Sequence, residues 1–103
     1  ELSTAVRYGL NPVVVVLNNG GYGTERAMLD GDFNDVQPWR FHKIPEVLGA
    51  GRGFLVRTEA ELDQALAEAE GYTQGFCLLD VHLDRRDCSP ALRRLAAELG
   101  KSV

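Results

Sequence analysis

The sequence has 103 residues, of which 45% are hydrophobic and 25% charged, and its formal net charge at pH 7 is −4. A chain of this length is long enough for one modest hydrophobic core, so we expect one domain over residues 1–103. The acidic balance argues against a nucleic-acid-binding surface, and the pairs Arg85-Arg86 and Arg93-Arg94 are too short for a basic stripe and are typical of a solvated surface. No apolar run approaches the ~20 residues of a membrane helix and no secretory leader is recognisable, which predicts a cytoplasmic protein that does not bind membranes.

The first third of the chain predicts a helix and then a strand. Residues 1–8 have apolar side chains at helical spacing, and Gly9 is the residue type that commonly follows the last turn of a helix. Because this helix begins at the first residue without a cap, we expect a preceding segment outside this sequence. Residues 12–17 form the predicted strand, and its five successive large apolar residues are typical of a parallel strand buried on both faces.

The middle of the chain predicts shorter elements separated by a long loop. We expect a short helix over residues 24–29, an irregular loop over 30–43, a helical turn over 44–48 and a second strand over 54–57. Three glycines, Gly49, Gly51 and Gly53, precede this strand. A dinucleotide-binding fingerprint has its glycines after a strand, so we interpret this cluster as a flexible turn.

The last part of the chain predicts a helix, a strand and a second helix. Thr58 and Glu61 form a capping box for a helix that ends at Gly71, and residues 76–83 form the third strand. Ser89 and Pro90 supply the cap and the first turn of the final helix. Strands that alternate with helices predict an α/β fold, here a three-layer sandwich with a parallel sheet and helices on both faces.

The cysteines and histidines predict no metal site and no disulfide. Cys77 lies in an apolar stretch and is interpreted as a core residue, whereas Cys88 lies in a polar turn. His42 and His82 are far apart in sequence and have no partner at ligand spacing, so we expect structural roles for both.

The residues directly after the first strand are the strongest indication of a functional site. Ligands of open α/β sheets bind beyond the carboxyl ends of parallel strands, where Asn18, Asn19 and Gly21 lie. The side-chain oxygen of Asn19 and the main-chain oxygen of Gly21 are donors of the kind that Mg²⁺ prefers, and such an ion completes its shell with phosphate and water. Considered alone, the sequence Asn-Asn-Gly-Gly favours a plain turn.

A wider stretch resembles a known family. Residues 17–25 and the preceding residues 1–9 resemble the pyrophosphate-binding domain of thiamine-diphosphate-dependent 2-oxo-acid decarboxylases, in the branch of pyruvate and indolepyruvate decarboxylases. That family has the motif Asn-Asn-x-Gly-Tyr-x-x-Glu after a buried strand. Residues 33–39, with Trp39, and residues 43–51 are also similar to the family. The resemblance implies that residues 1–103 are the C-terminal part of a thiamine-diphosphate-binding domain.

The resemblance also implies roles for individual residues. Asn19 and Gly21 become ligands of the Mg²⁺ that joins the protein to the cofactor diphosphate, and Asn18 and Tyr22 become further cofactor-binding residues. Glu25 becomes the catalytic acid that acts on a small 2-oxo acid, which requires burial beside an apolar ring so that it holds a proton near neutral pH. Spacing alone favours another interpretation, that Glu25 is an acid in the first turn of a helix, stabilised there by the helix dipole. The match of Tyr22 and Glu25 to the family motif reverses this preference. Tyr22 and Trp39 are expected mainly to pack.

The resemblance further implies that these residues act within a larger assembly. The family's third metal ligand comes from a Gly-Asp-Gly element, which does not occur in the 103 residues and is expected upstream. We therefore expect a homodimer or homotetramer, an isolated chain that is inactive, and a first strand that lacks a neighbour. The alternative is a stand-alone flavodoxin-like module that binds a phosphate or nucleotide at residues 18–21 without catalysis.

Overall fold

A computed structural model describes residues 1–102 and divides the chain into two compact units. We call the first the sheet unit, which comprises Glu1–Leu17 and Trp39–His82. We call the second the motif unit, which comprises Asn18–Pro38 and the residues from Leu83 onwards.

The chain contains a three-stranded sheet of β1 (Val13–Asn18), β2 (Arg52–Val56) and β3 (Cys77–His82), in the order β1-β3-β2. β2 and β3 are parallel, with Cα partners from Arg52 and Cys77 to Val56 and Val81. β1 also runs parallel to β3, because the main-chain amides of Cys77 and Leu83 donate to the oxygens of Pro12 and Asn18. The predicted α/β fold with a parallel sheet and helices around it is confirmed.

The helices follow the predicted order, and their caps explain where the longer ones begin. Thr58 Oγ1 accepts from the amide of Glu61 at 3.1 Å, and Ser89 Oγ accepts from the amide of Leu92 at 3.1 Å. In the described part of the chain, no helix has both the length and the apolar character needed to cross a membrane. The helices are α1 (Leu2–Arg7), α2 (Gly23–Met28), α3 (Ile44–Leu48), α4 (Glu59–Gly71) and α5 (Pro90–Gly100).

The hydrophobic core lies around β3. The side chains of Phe76, Leu78 and Leu79 are almost completely buried, and Cys77 is buried with them as predicted. Asp80, in the same strand, is also fully buried. β3 lies between β1 and β2, and all of its residues except His82 are buried. It is therefore the central, buried strand of the sheet.

The prediction that the first strand is buried on both faces is wrong for the described residues. Val13, Val15 and Leu17 are 45%, 45% and 67% exposed, while the alternate residues of β1 are partly buried. The apolar run predicted a strand correctly, but β1 lies at an edge of the sheet and β3 alone has a neighbouring strand on either side. β1 therefore pairs with β3 on one side and has no strand on its other side among the described residues.

The second strand begins two residues earlier than predicted and contains one of the glycines assigned to a turn. Gly49 and Gly51 have positive φ angles of 71° and 86° and form the turn before β2. Gly53 lies within β2, where a Cβ atom would overlap the main-chain oxygen of His42. The glycine is therefore needed for a close approach of two backbones.

Candidate functional site

The predicted cofactor residues lie in a turn that leads from β1 into α2, entirely within the motif unit. Gly20 adopts a left-handed conformation with φ of 74°, and the side-chain oxygen of Asn19 accepts a long hydrogen bond of 3.4 Å from the amide of Gly21. This arrangement resembles an Asx turn, in which an asparagine side chain substitutes for backbone pairing. Residues 19–21 therefore form a turn, as their composition favours, and the same residues are the predicted ligand site.

This turn is fixed by pairing with a second segment of the motif unit. The amide of Tyr22 donates to the oxygen of Asn34 at 2.9 Å, and the amide of Val36 donates to the oxygen of Gly20 at 3.0 Å. Gly21 and Asp35 form an isolated antiparallel bridge between the two segments. The long loop after α2 is thus a support for the motif, a role that the sequence did not indicate.

Gly21 has no room for a side chain. A Cβ atom there would overlap the main-chain oxygen of Asn34 and the guanidinium group of Arg26. Asn34 is 3% exposed and is itself held by a 2.8 Å bond from its side-chain amide to the oxygen of Leu29. None of the hydrogen bonds among the described residues ends on the main-chain oxygen of Gly21, so this oxygen remains available as a donor to a cation.

The donor chemistry of the turn fits Mg²⁺ bound together with a diphosphate. The amide oxygen of Asn19 and the peptide oxygen of Gly21 are hard ligands, and Mg²⁺ commonly takes few protein ligands and fills its shell with phosphate and water. No group of three or more histidine, cysteine, aspartate or glutamate residues is placed to hold a metal ion in the described part of the chain. The turn is therefore the candidate for a cation site that the sequence predicts.

The other predicted site residues lie around the same turn. Asn18 is partly buried at the end of β1, and its main-chain oxygen accepts from the amide of Leu83 at 3.0 Å. Tyr22 precedes α2 and is 58% exposed, so the packing expected of it is not seen among the described residues. Trp39, in the sheet unit, is 61% exposed and contacts Phe41 with ring centroids 6.0 Å apart.

Glu25 lies in the first turn of α2 and its side chain is exposed. The burial that its predicted catalytic role requires is not provided by the described residues. The position agrees with both interpretations of Glu25, since a first-turn acid is favoured by the helix dipole and also stands directly after the turn that contains Asn19 and Gly21.

The residue next to Glu25 is the centre of an ion-pair network that sequence reasoning missed. The guanidinium of Arg26, whose side chain is 4% exposed, contacts Asp30 at 3.4 Å and Asp35 at 2.6 Å. Arg85 contacts the same oxygen of Asp35 at 2.6 Å, and Arg86 contacts Asp30 at 2.8 Å. The hydrogen bond to Asp35 raises the pKa of Arg26 despite its burial. Burial raises the pKa of Asp30, but Arg86 and Arg26 outweigh this effect and the net shift is downward.

One part of this network had a sequence signal. Arg26 and Asp30 are four residues apart, a spacing that brings side chains together on a helix and the turn after it. Arg85 and Arg86 are exposed, as expected of a solvated surface, and each pairs with a carboxylate, which the sequence did not predict. Their partners are about 50 residues away in the sequence, a distance at which no pattern in a single sequence predicts pairing.

The two histidines converge on one buried acid in the sheet unit. His42 Nδ1 lies 2.9 Å from Asp80 Oδ2, the main-chain amide of His42 donates to the same oxygen at 3.3 Å, and His82 Nε2 lies 3.4 Å from Asp80 Oδ1. These contacts satisfy a carboxylate that would be costly to bury alone. They agree with the structural roles predicted for His42 and His82.

The chain is similar in sequence to a known protein family and to several individual proteins. Residues 1–81 match the family model described as thiamine pyrophosphate enzyme, C-terminal TPP binding domain; thiamine pyrophosphate is another name for thiamine diphosphate. The chain is 39% identical over 104 residues to an alpha-keto-acid decarboxylase of Mycolicibacterium paratuberculosis, covering 96% of this chain and 18% of the relative. It is 39% identical over 105 residues to a pyruvate decarboxylase of Aspergillus terreus, covering 95% of this chain and 18% of that protein.

A more distant fungal relative extends the same pattern. The chain is 34% identical over 96 residues to a probable pyruvate decarboxylase of Schizosaccharomyces pombe, covering 89% of this chain and 17% of that protein. The chain thus spans less than a fifth of the length of these relatives, while the family model matches most of the chain itself, including the whole Asn18 to Glu25 motif. The chain therefore belongs to the thiamine pyrophosphate enzymes, within their C-terminal cofactor-binding domain.

Proposed function

We propose that this chain is part of a thiamine-diphosphate- and Mg²⁺-dependent enzyme that decarboxylates a 2-oxo acid of the pyruvate, indolepyruvate or phenylpyruvate type. The observation that carries the proposal is the match of residues 1–81 to the cofactor-binding domain, with the motif residues gathered in one turn and one helix. The names of the relatives, alpha-keto-acid and pyruvate decarboxylases, support this reaction class. The same match favours the enzyme over the flavodoxin-like module.

In this proposal the turn after β1 holds the charged end of the cofactor. Asn19 and Gly21 each give one oxygen to Mg²⁺, and Asn18 and Tyr22 lie on either side of them. The pairing of this turn with Asn34 and its neighbours fixes the orientation of the Gly21 peptide before a ligand arrives. A preorganised donor loses less conformational entropy on binding, which favours affinity.

Glu25 performs the proton transfer in this proposal. When bound, thiamine diphosphate supplies the nucleophilic carbon and the electron sink that make loss of CO₂ possible. Glu25 lies four residues after Gly21 on α2, and its exposed side chain is unobstructed by the described residues. The apolar surroundings that a proton-holding carboxyl group requires would come from the cofactor, the substrate or other parts of the protein.

The activity belongs to a longer protein than the chain described. The matched relatives are more than five times as long as this chain. We propose that the complete enzyme is a homodimer or homotetramer in the cytoplasm. The 103 residues alone would be inactive. Light scattering and cell fractionation of the complete protein test these two parts of the proposal.

The experiment that tests the function compares two glutamates of the protein that carries this chain. Glu25→Gln should lower the turnover of pyruvate, measured as CO₂ release, by at least ~100-fold while the affinity for thiamine diphosphate with Mg²⁺ stays nearly unchanged. Glu59→Gln is the matched control, because Glu59 also occupies the first turn of a helix but lies outside the motif. A role through the helix dipole alone would give both variants the same small effect.

The outcomes separate the two candidate functions. Equal turnover of the Glu25→Gln variant and the unmodified protein would contradict the catalytic role. A thermal stability that increases with flavin or phosphate, but not with thiamine diphosphate and Mg²⁺, would favour the flavodoxin-like module instead.

A further inference from the structure

A cavity lies in the motif unit, beside the helix that contains Glu25. Its volume is about 150 Å³, roughly five water molecules at liquid density. Four arginines and one aspartate contribute to its wall. They are Arg26, Arg85, Arg86, Arg93 and Asp87.

The arginines around the cavity are held in place but not saturated. Arg26 uses both terminal nitrogens for Asp30 and Asp35, and its Nε is buried with no hydrogen-bond partner among the described residues. A guanidinium group has five N–H donors in a planar fork, so a partnered arginine still has donors to offer. A buried donor without a partner costs free energy unless a ligand or water satisfies it.

The cavity also has an excess of positive charge. Arg26, Arg85 and Arg86 share the two carboxylates of Asp30 and Asp35. Arg93, on α5, makes no ion pair in the described part of the chain and donates only a long bond of 3.4 Å to the main-chain oxygen of Cys88. Four guanidinium groups and one carboxylate, that of Asp87, therefore line the cavity, whereas Asp30 and Asp35 pair with three of these guanidinium groups without lining it.

We infer that this cavity binds a phosphate group, either free inorganic phosphate or the phosphoryl group of a phosphomonoester. Arginine matches the oxygens of phosphate with paired hydrogen bonds, and the five non-hydrogen atoms of phosphate suit the volume. Arg85, Arg86 and Arg93 lie outside residues 1–81, the part that matches the cofactor-binding family. Asn19 and Gly21 do not line the cavity, although Arg26, which does, lies against Gly21. The proposed phosphate binding does not depend on the proposed decarboxylation.

The test uses two neighbouring arginines of α5 in the protein that carries this chain. Isothermal titration with inorganic phosphate should give one site per chain that survives saturation with thiamine diphosphate and Mg²⁺. Arg93→Gln should weaken phosphate binding by at least tenfold. Arg94→Gln is the matched control, because Arg94 is also exposed on the same helix but does not line the cavity.

Each outcome decides the inference. Absence of binding, equal weakening in both variants, or displacement of phosphate by thiamine diphosphate would overturn it. A parallel titration with phenyl phosphate identifies the source of the group: tighter binding than inorganic phosphate assigns the cavity to phosphomonoesters, and weaker binding assigns it to the free ion. Both of the latter results support the inference.

Discussion

The sheet unit and the motif unit are stabilised by different interactions. Nine of the ten buried hydrophobic residues of the described chain belong to the sheet unit, and Ala96 is the one that belongs to the motif unit. The motif unit instead buries Arg26 and Asn34, which hold its segments together through ion pairs and hydrogen bonds. Apolar burial stabilises the first unit, and polar pairing stabilises the second.

This difference places the predicted cofactor residues in the part of the chain with less apolar burial. Regions with few buried apolar contacts open locally at lower free energy, and ligand-binding segments are commonly drawn from them. Asn19, Gly21 and Glu25 therefore lie where local opening is expected to cost less free energy. The contrast between the units can be tested in three further ways.

The largest change in the free energy of unfolding is expected when a buried side chain of the sheet unit is shortened. Leu79 is fully buried in β3, so Leu79→Ala should lower the free energy of unfolding by about 2–5 kcal/mol through lost apolar contact and a residual cavity. Urea denaturation of the protein that carries this chain measures the change. Leu66→Ala, at a 42% exposed position of α4, should change it by less than about 0.5 kcal/mol. Similar losses in the two variants would contradict the assignment of the core to β3.

An intermediate loss of stability is expected when a methyl group is added to a glycine of the motif unit. Gly21→Ala should weaken binding of thiamine diphosphate with Mg²⁺ at least tenfold and destabilise the turn by about 1–3 kcal/mol, because the new Cβ overlaps Asn34 and Arg26. Gly71→Ala is the control, since a Cβ there meets nothing within 4 Å, and it should stabilise the protein by about 0.4–1 kcal/mol. Calorimetric titration and thermal melting compare the variants. Unchanged cofactor affinity in Gly21→Ala would argue against the turn as the ligand site.

The smallest change in stability is expected when the pH is lowered. The pKa of Asp30 lies below its ordinary value of 3.8 in the folded chain, so the stabilisation by this carboxylate is present above pH 3.8 and is lost as the pH falls through the folded value. The raised pKa of Arg26 keeps that side chain charged throughout this range. NMR spectra recorded during acid titration should therefore show α2 changing before β3. Asp30→Asn should reduce this sensitivity, whereas Asp63→Asn, on the exposed side of α4, should leave it unchanged. The same acid response in both variants would exclude Asp30 as its source.

The elements were predictable because their signals are local. The capping residues Thr58 and Ser89 and the apolar run of β1 are each contained within a few consecutive positions, and the structure confirms the elements they predict. The burial of β1 was not predictable, because it depends on which strands lie beside it. The position of Gly53 inside β2 depends likewise on its approach to His42, which comes from another segment.

The sequence predicted the motif of the candidate site but not the contacts that hold the motif in place. Asn19, Gly21 and Glu25 are close in sequence, so one short stretch contained the whole pattern. The pairing of Tyr22 with Asn34 and the contact of Arg85 with Asp35 join residues that are distant in sequence. A single sequence has no periodicity that links such positions.

The exposed row of Val13, Val15 and Leu17 on β1 has a practical consequence for handling this chain. An exposed edge strand presents unpaired main-chain hydrogen-bonding groups and apolar side chains, with which a second molecule can pair. Preparations of the 103 residues alone should accordingly self-associate as they are concentrated. A solubilising fusion is therefore a suitable route to material for crystallisation.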